Sequence, residues 1–139
     1  MITSILVGYD GSASAKRALD FAVDLARRFQ APLHVLAVAR PPDMGAEVET
    51  EAMIEQGTAH CRRIVHDVQR RLQGSGIDVH CDVAVGHPAE QIMRYAEGHG
   101  VDHIVMGHRG HTLFERLLVG STARQVVAHA RCNVTIVRA

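Results

Sequence analysis

Short apolar runs and helix-period stripes alternate along the whole chain. Ile2 to Tyr9 is apolar and rich in β-branched residues, and it stops at Asp10-Gly11-Ser12. This pattern predicts a strand buried on both faces, with Ser12 as the N-cap of a following helix. Ala15, Ala18, Leu19, Ala22, Leu25, Ala26 and Phe29 then recur at helical spacing. Pro32 punctuates, and Leu33 to Ala39 supplies a second strand. Pro41 and Pro42 open a looser stretch, and Arg40 to about Glu49 is the candidate moving loop. A long helix is predicted from about Glu47 to Leu72, with Ile54, Cys61, Ile64, Val65, Val68 and Leu72 along one side and Gly74 and Gly76 as its stop.

Ile77 to Val85 alternates as a strand that faces the core on one side only. Gly86-His87-Pro88 turns into a short helix with Ala89, Ile92, Met93 and Ala96 on one face, closed by Gly98 and Gly100. Val101 to Met106 reads as the fourth strand. Ser121 to Ala130 reads as a last helix with Ala123, Val126, Val127 and Ala130 inward, and Val134 to Val137 as the fifth strand. Strict β-α alternation predicts an α/β domain around an open, five-stranded parallel sheet. Right-handed crossovers place helices on both faces. No repeat or linker interrupts residues 1–139, which read as a single domain.

Composition narrows the partners. Lys+Arg and Asp+Glu balance at 15 each, so no global field draws in nucleic acid or an anionic membrane. The three cysteines, Cys61, Cys81 and Cys132, lack a C-x-x-C spacing and read as small thiols of a reducing compartment. No signal-peptide pattern and no run of about 18 apolar residues is present, so the expected location is the cytoplasm.

In a parallel α/β sheet, ligands bind beyond the carboxyl ends of the strands, where the strand order reverses. After the first strand comes GYDGS, with the carboxylate of Asp10, which either serves a ligand or caps the Gly11–Ala13 amides locally. After the fourth comes GHRG, then the nine residues His111 to Val119, then Gly120-Ser121-Thr122. Glycines let backbone approach a ligand closely, and the amides of a helix N-terminus favour an anion. One helix end contributes only about 0.3–1 kcal/mol when exposed. Two glycine elements converging on one polyanion would hold a phosphate chain; each alone is also consistent with an ordinary turn or cap.

The spacing Gly107-x-x-Gly110, nine residues, Gly120-Ser121 resembles the motif of ATP-binding universal stress proteins. ILVGYDGS, LHVLAV, VGHPAEQI and DHIVMGHRG extend the resemblance over essentially the whole chain. It implies a Rossmann-like sheet of the adenine nucleotide alpha hydrolase-like type, with strand order 3-2-1-4-5. It implies ATP or another adenine nucleotide as ligand, with Mg²⁺ alongside. Asp10 would face ribose or the metal-phosphate region, and Val38 would offer backbone groups to the adenine edge. Met106 and Gly107 would line the nucleotide, Arg109 and Gly110 would contact phosphate or ribose, and Gly120, Ser121 and Thr122 would hold phosphates. It also implies a homodimer through the strand Val134–Val137, whose apolar edge invites association. Two positions depart from the family pattern: His108, commonly a small hydroxyl residue, and Asn133, commonly proline.

Other chemistries lack their residues. Lys16 is the sole lysine, so no P-loop exists near either glycine element. G-x-G-x-x-G after the first strand, G-x-S-x-G and a response-regulator acidic site are all missing. His108-x-x-His111 and His99-x-x-x-His103 have permissible metal spacing, but no cysteine or carboxylate completes a set. The leading reading is thus an ATP-binding regulatory module of stress response that rearranges its loops. A slow ATPase or phosphotransferase is the enzymatic alternative, with Asp10 on Mg²⁺ and Arg109 or His108 on the phosphoryl group. An interaction scaffold that binds a protein partner and no nucleotide is the third.

Overall fold

The computed structural model describes residues 1–41, 47–108 and 120–138, with backbone only at 47–50. Residues 42–46 of the candidate loop, Arg109, Gly110 and the spacer 111–119 lie outside the described residues. The elements run β1 (Ile5–Gly8), α1 (Ala13–Phe29), β2 (Leu33–Ala39), α2 (Glu47–Leu72), β3 (Val79–Val85), α3 (Pro88–Gly98), β4 (His103–Gly107), α4 (Ser121–His129) and β5 (Asn133–Val137). All strand pairings are parallel, in the order β3-β2-β1-β4-β5. This is the order that the resemblance implies.

Side-chain alternation divides the core in two. Ile5, Val7, Leu33 and Val35 point to the face covered by α1 and α2. Leu6, Leu36, Ile104 and Met106 point to the face covered by α3 and α4. The central strand β1 is apolar on both faces because both are covered: Ile5, Leu6 and Val7 are wholly buried.

Four expectations are adjusted. β4 begins at His103 rather than Val101 and runs to Gly107, because the Val101 amide donates to Ala96 O of α3 at 2.9 Å instead of a neighbouring strand. β1 begins at Ile5 rather than Ile2, because the amides of Thr3 and Ser4 donate to the carboxylate of Asp102 instead of a neighbouring strand. β3 begins at Val79 rather than Ile77, since the turn at Gly76 (φ +83°) sends the Ile77 amide to Ser75 Oγ at 3.3 Å. Val127 is 55 % exposed, not inward. It follows Val126, which is fully buried, and one helical residue is about 100° of rotation.

Candidate functional site

β1 and β4 are neighbours, yet their following helices pass to opposite faces of the sheet. The crevice at their carboxyl ends is therefore the switch point. It holds a cleft of about 260 Å³, near the lower end of small-molecule sites at about 300–1,000 Å³. That size suits a small ligand rather than a macromolecular chain. Asp10, Val38, Met106, Gly107, Gly120, Ser121 and Thr122 all line it. The segments after β1, β2 and β4 and the start of α4 thus meet at one place.

The wall from β1 is closed upon itself. The Tyr9 amide donates to Leu36 O at 2.9 Å, and the chain then reverses through Gly11 at φ +78°. Asp10 Oδ1 accepts the Ser12 amide at 2.9 Å, and Ser12 Oγ accepts the Ala15 amide at 3.1 Å. Asp10 therefore has the local capping role foreseen for it while its carboxylate stands in the cleft wall. Burial pushes the neighbouring Tyr9 phenol up, partly offset by Arg71.

β2 outruns β1. Ala39 O accepts the Gly86 amide at 3.0 Å on the β3 side. Successive residues of a strand turn their peptide groups to opposite sides. Val38 therefore presents its N–H and C=O to the side where β1 has already ended at Gly8.

The wall from β4 is built around the motif. Gly107 ends β4 against α1: a Cβ there would stand 2.2 Å from Ser14 Oγ and 2.7 Å from the Ser14 backbone carbon and oxygen. Glycine at 107 is thus demanded by helix packing, whatever else it serves. The His108 amide donates to Val137 O at 3.2 Å, and His108 O accepts the Gly120 amide at 2.6 Å. The two described ends of the glycine motif are therefore bonded to each other. Gly120 caps α4 without any side-chain bond to the first turn. The amides of Ser121, Thr122 and Ala123 have no acceptor within the helix, and all three residues line the cleft.

Sequence reasoning missed Tyr9, Arg40, Pro88 and Ile92 as lining residues; His108, singled out there as a departure from the family pattern and as a candidate phosphoryl contact of the enzymatic alternative, does line the cleft. Leu36, Val38 and Arg40 share the alternate positions of β2, a signal that becomes legible once the cleft side is known. Among the described residues, Asp10 and Arg40 are the charged side chains of the lining. Also among the described residues, no group of three or more His, Cys, Asp or Glu is arranged to hold a metal ion, and no helix is long and apolar enough to cross a membrane.

The model of the universal stress protein family matches residues 1–138. The universal stress protein Slr1230 of Synechocystis is 32 % identical over 126 residues, 91 % of this chain; the match spans only 39 % of that longer relative. The structure of UspA from Lactobacillus plantarum is 32 % identical with a TM-score of 0.88, covering 99 % of this chain and 98 % of that one. A universal stress protein solved in complex with cAMP is 26 % identical with a TM-score of 0.74, covering 98 % and 97 %. With the sheet order, the switch-point cleft and matches over nearly its whole length, this chain belongs to the universal stress protein family.

Proposed function

We propose that the chain is an adenine-nucleotide-binding regulatory module of cytoplasmic stress response, taking ATP with Mg²⁺ and acting as a homodimer. The observation that carries this reading is the bond between Gly120 and His108 at the cleft, which sets the glycine-capped start of α4 beside the end of β4. The chemistry of the donor set fits the ligand. The first-turn amides of α4 and the hydroxyls of Ser121 and Thr122 suit phosphate. The peptide groups of Val38 suit the donor–acceptor edge of adenine, with Met106, Leu36 and Ile92 as apolar walls. The Asp10 carboxylate is the oxygen donor closest in kind to what Mg²⁺ takes. Arg109 and Gly110 join the set on the strength of the motif alone. The cAMP complex of a family member supports the ligand class. The homodimer reading is supported by β5, an edge strand whose residues Val134 to Val137 are only partly buried, with Val127 exposed nearby.

Calorimetric titration of nucleotide-stripped protein with Mg-ATP tests this, alongside Gly120→Val. Backbone at Gly120 lies at φ −58° and ψ 157°, which any residue adopts, so the variant adds no backbone strain, and circular dichroism and thermal unfolding check that it is folded before it is titrated. Binding in the parent that weakens by at least about 100-fold in the variant, some 2.7 kcal/mol, is the expected result. A folded parent that binds neither Mg-ATP nor AMP nor cAMP overturns the reading.

A further inference from the structure

A second cluster of titratable side chains lies at the other end of the seam between α3 and β2. His34 and His80 are register partners of the β2–β3 ladder and point to the face covered by α3. Their rings stack with centroids 5.0 Å apart. From α3, Tyr95 and the C-cap residue His99 pack onto His34 at 5.5 and 5.4 Å, and onto each other at 3.8 Å. His34 is only 9 % exposed. The Tyr95 hydroxyl donates to Asp82 Oδ2 at 2.6 Å and lies 3.0 Å from His34 Nδ1. A hydroxyl has a single proton. Because Tyr95 gives its proton to Asp82, His34 Nδ1 must carry a hydrogen and donate it to Tyr95. At neutral pH the chain is therefore His34 N–H to Tyr95 O–H to the Asp82 carboxylate, with His34 uncharged.

We infer that this cluster is a latch: it seats the C-terminal half of α3 on β2 and β3 at neutral pH and lets go as the medium becomes mildly acidic. Every element around His34 contributes. Burial holds its pKa below the ordinary 6.5, and His80 of β3 and His99 of α3 act in the same direction. Asp82 of β3 and Asp78, just before β3, oppose them; β1 presents only apolar Leu6 as its register partner. The sign follows from linkage. Below pH 6.5 an unseated His34 takes up a proton, whereas the seated one stays neutral until the pH falls through its lowered value. The seated state therefore keeps its full stability above that window and loses it progressively on descent. A second proton on His34 also places a cation between the imidazoles of His80 and His99.

The latch bears on the cleft because α3 carries both. Tyr95 and His99 close the seam at one end, and Pro88 and Ile92 line the cleft at the other. Release of α3 is thus expected to weaken the cleft's ligand. That consequence rests on the function proposed above, whereas the release itself does not.

Amide hydrogen exchange on the full chain without nucleotide, at about pH 7.5 and about pH 5.5, decides the matter. Protection of α3 is read as a ratio to that of α1, so that intrinsic exchange and global stability cancel. The expected result is a fall of about tenfold in that ratio at the lower pH. His34→Asn keeps a donor toward Tyr95 but cannot charge, and should flatten the response. His99→Gln, at an exposed position, serves if the buried substitution prevents folding, and should reduce it. A ratio that does not change with pH, or a response undiminished in every variant that folds, overturns the latch. Nucleotide affinity over the same pH values then reads the coupling: a loss in the parent that His99→Gln reduces supports it. Absence of nucleotide binding at every pH counts against the proposed function and leaves the exchange result to stand by itself.

Discussion

α1 and α4 start at the same edge of the sheet, one on each side of the cleft, and their caps share a backbone conformation. Ser12 has φ −67° and ψ 163°, and Gly120 has φ −58° and ψ 157°. Their chemistry differs. At α1 the Ser12 hydroxyl accepts the Ala15 amide, and the Asp10 carboxylate takes the Ser12 amide. At α4 the cap is a glycine, which offers the first turn no side-chain acceptor of its own. An anion arriving at α1 would have to displace a cap that contributes about 1 kcal/mol. At α4 the cap residue has no side chain to displace. A helix N-terminus becomes an anion site when the cap position withholds its own acceptor, and here the serine Oγ, with the Asp10 carboxylate beside it, separates the two cases.

The largest expected effect tests whether the two helix starts are fixed at all. Gly107→Ala would drive a Cβ into the Ser14 backbone, 2.7 Å away, as well as into its hydroxyl. Backbone in the first turn of α1 cannot swing aside as a side-chain tip can. A loss of about 3 kcal/mol in denaturant unfolding is expected. If the variant is as stable as the parent, α1 is not seated rigidly on β4 and the comparison between two fixed termini collapses.

How much of this was legible in the sequence depends on the range over which each feature is decided. β2 was read to the residue because Pro32 and Arg40-Pro41 bracket one apolar run. The Ser12 cap was legible because capping is local. Periodicity says which face a residue takes, not which strand lies beside it, so the order β3-β2-β1-β4-β5 came from family resemblance. The start of β1 was misplaced because Asp102 captures the Thr3 amide across 99 positions of sequence. For the same reason the histidine latch was invisible: His34, His80 and His99 become neighbours only once β2, β3 and α3 are assembled. At the cleft, the motif identified Gly120, Ser121 and Thr122, whereas Tyr9 and Arg40 owe their places to where two strands stop.

A smaller effect separates the two termini by function. Ser12→Ala removes the α1 cap and should cost about 1 kcal/mol in thermal or denaturant unfolding. Ser12 is not among the cleft-lining residues, so nucleotide affinity should stay within about twofold of the parent's. Affinity lost without a stability change would show that α1, not α4, faces the anion.

The smallest change in stability carries the sharpest test, because it makes α4 resemble α1. Gly120→Ser installs at the second cap the residue that stands at the first, in a backbone conformation that already matches. Its Oγ is then placed to accept from the first turn of α4, as Ser12 Oγ accepts from Ala15. Serine improves on glycine at a cap by only a few tenths of a kcal/mol, and unfolding of the free protein should rise by about that much. The same oxygen competes with the ligand for the α4 amides, so affinity for Mg-ATP should fall by about fivefold or more, near 1 kcal/mol. Stability and affinity therefore move in opposite directions. A merely damaged protein would lose both, and a ligand bound elsewhere would lose neither. Either result would remove the empty cap of α4 from the account of the site.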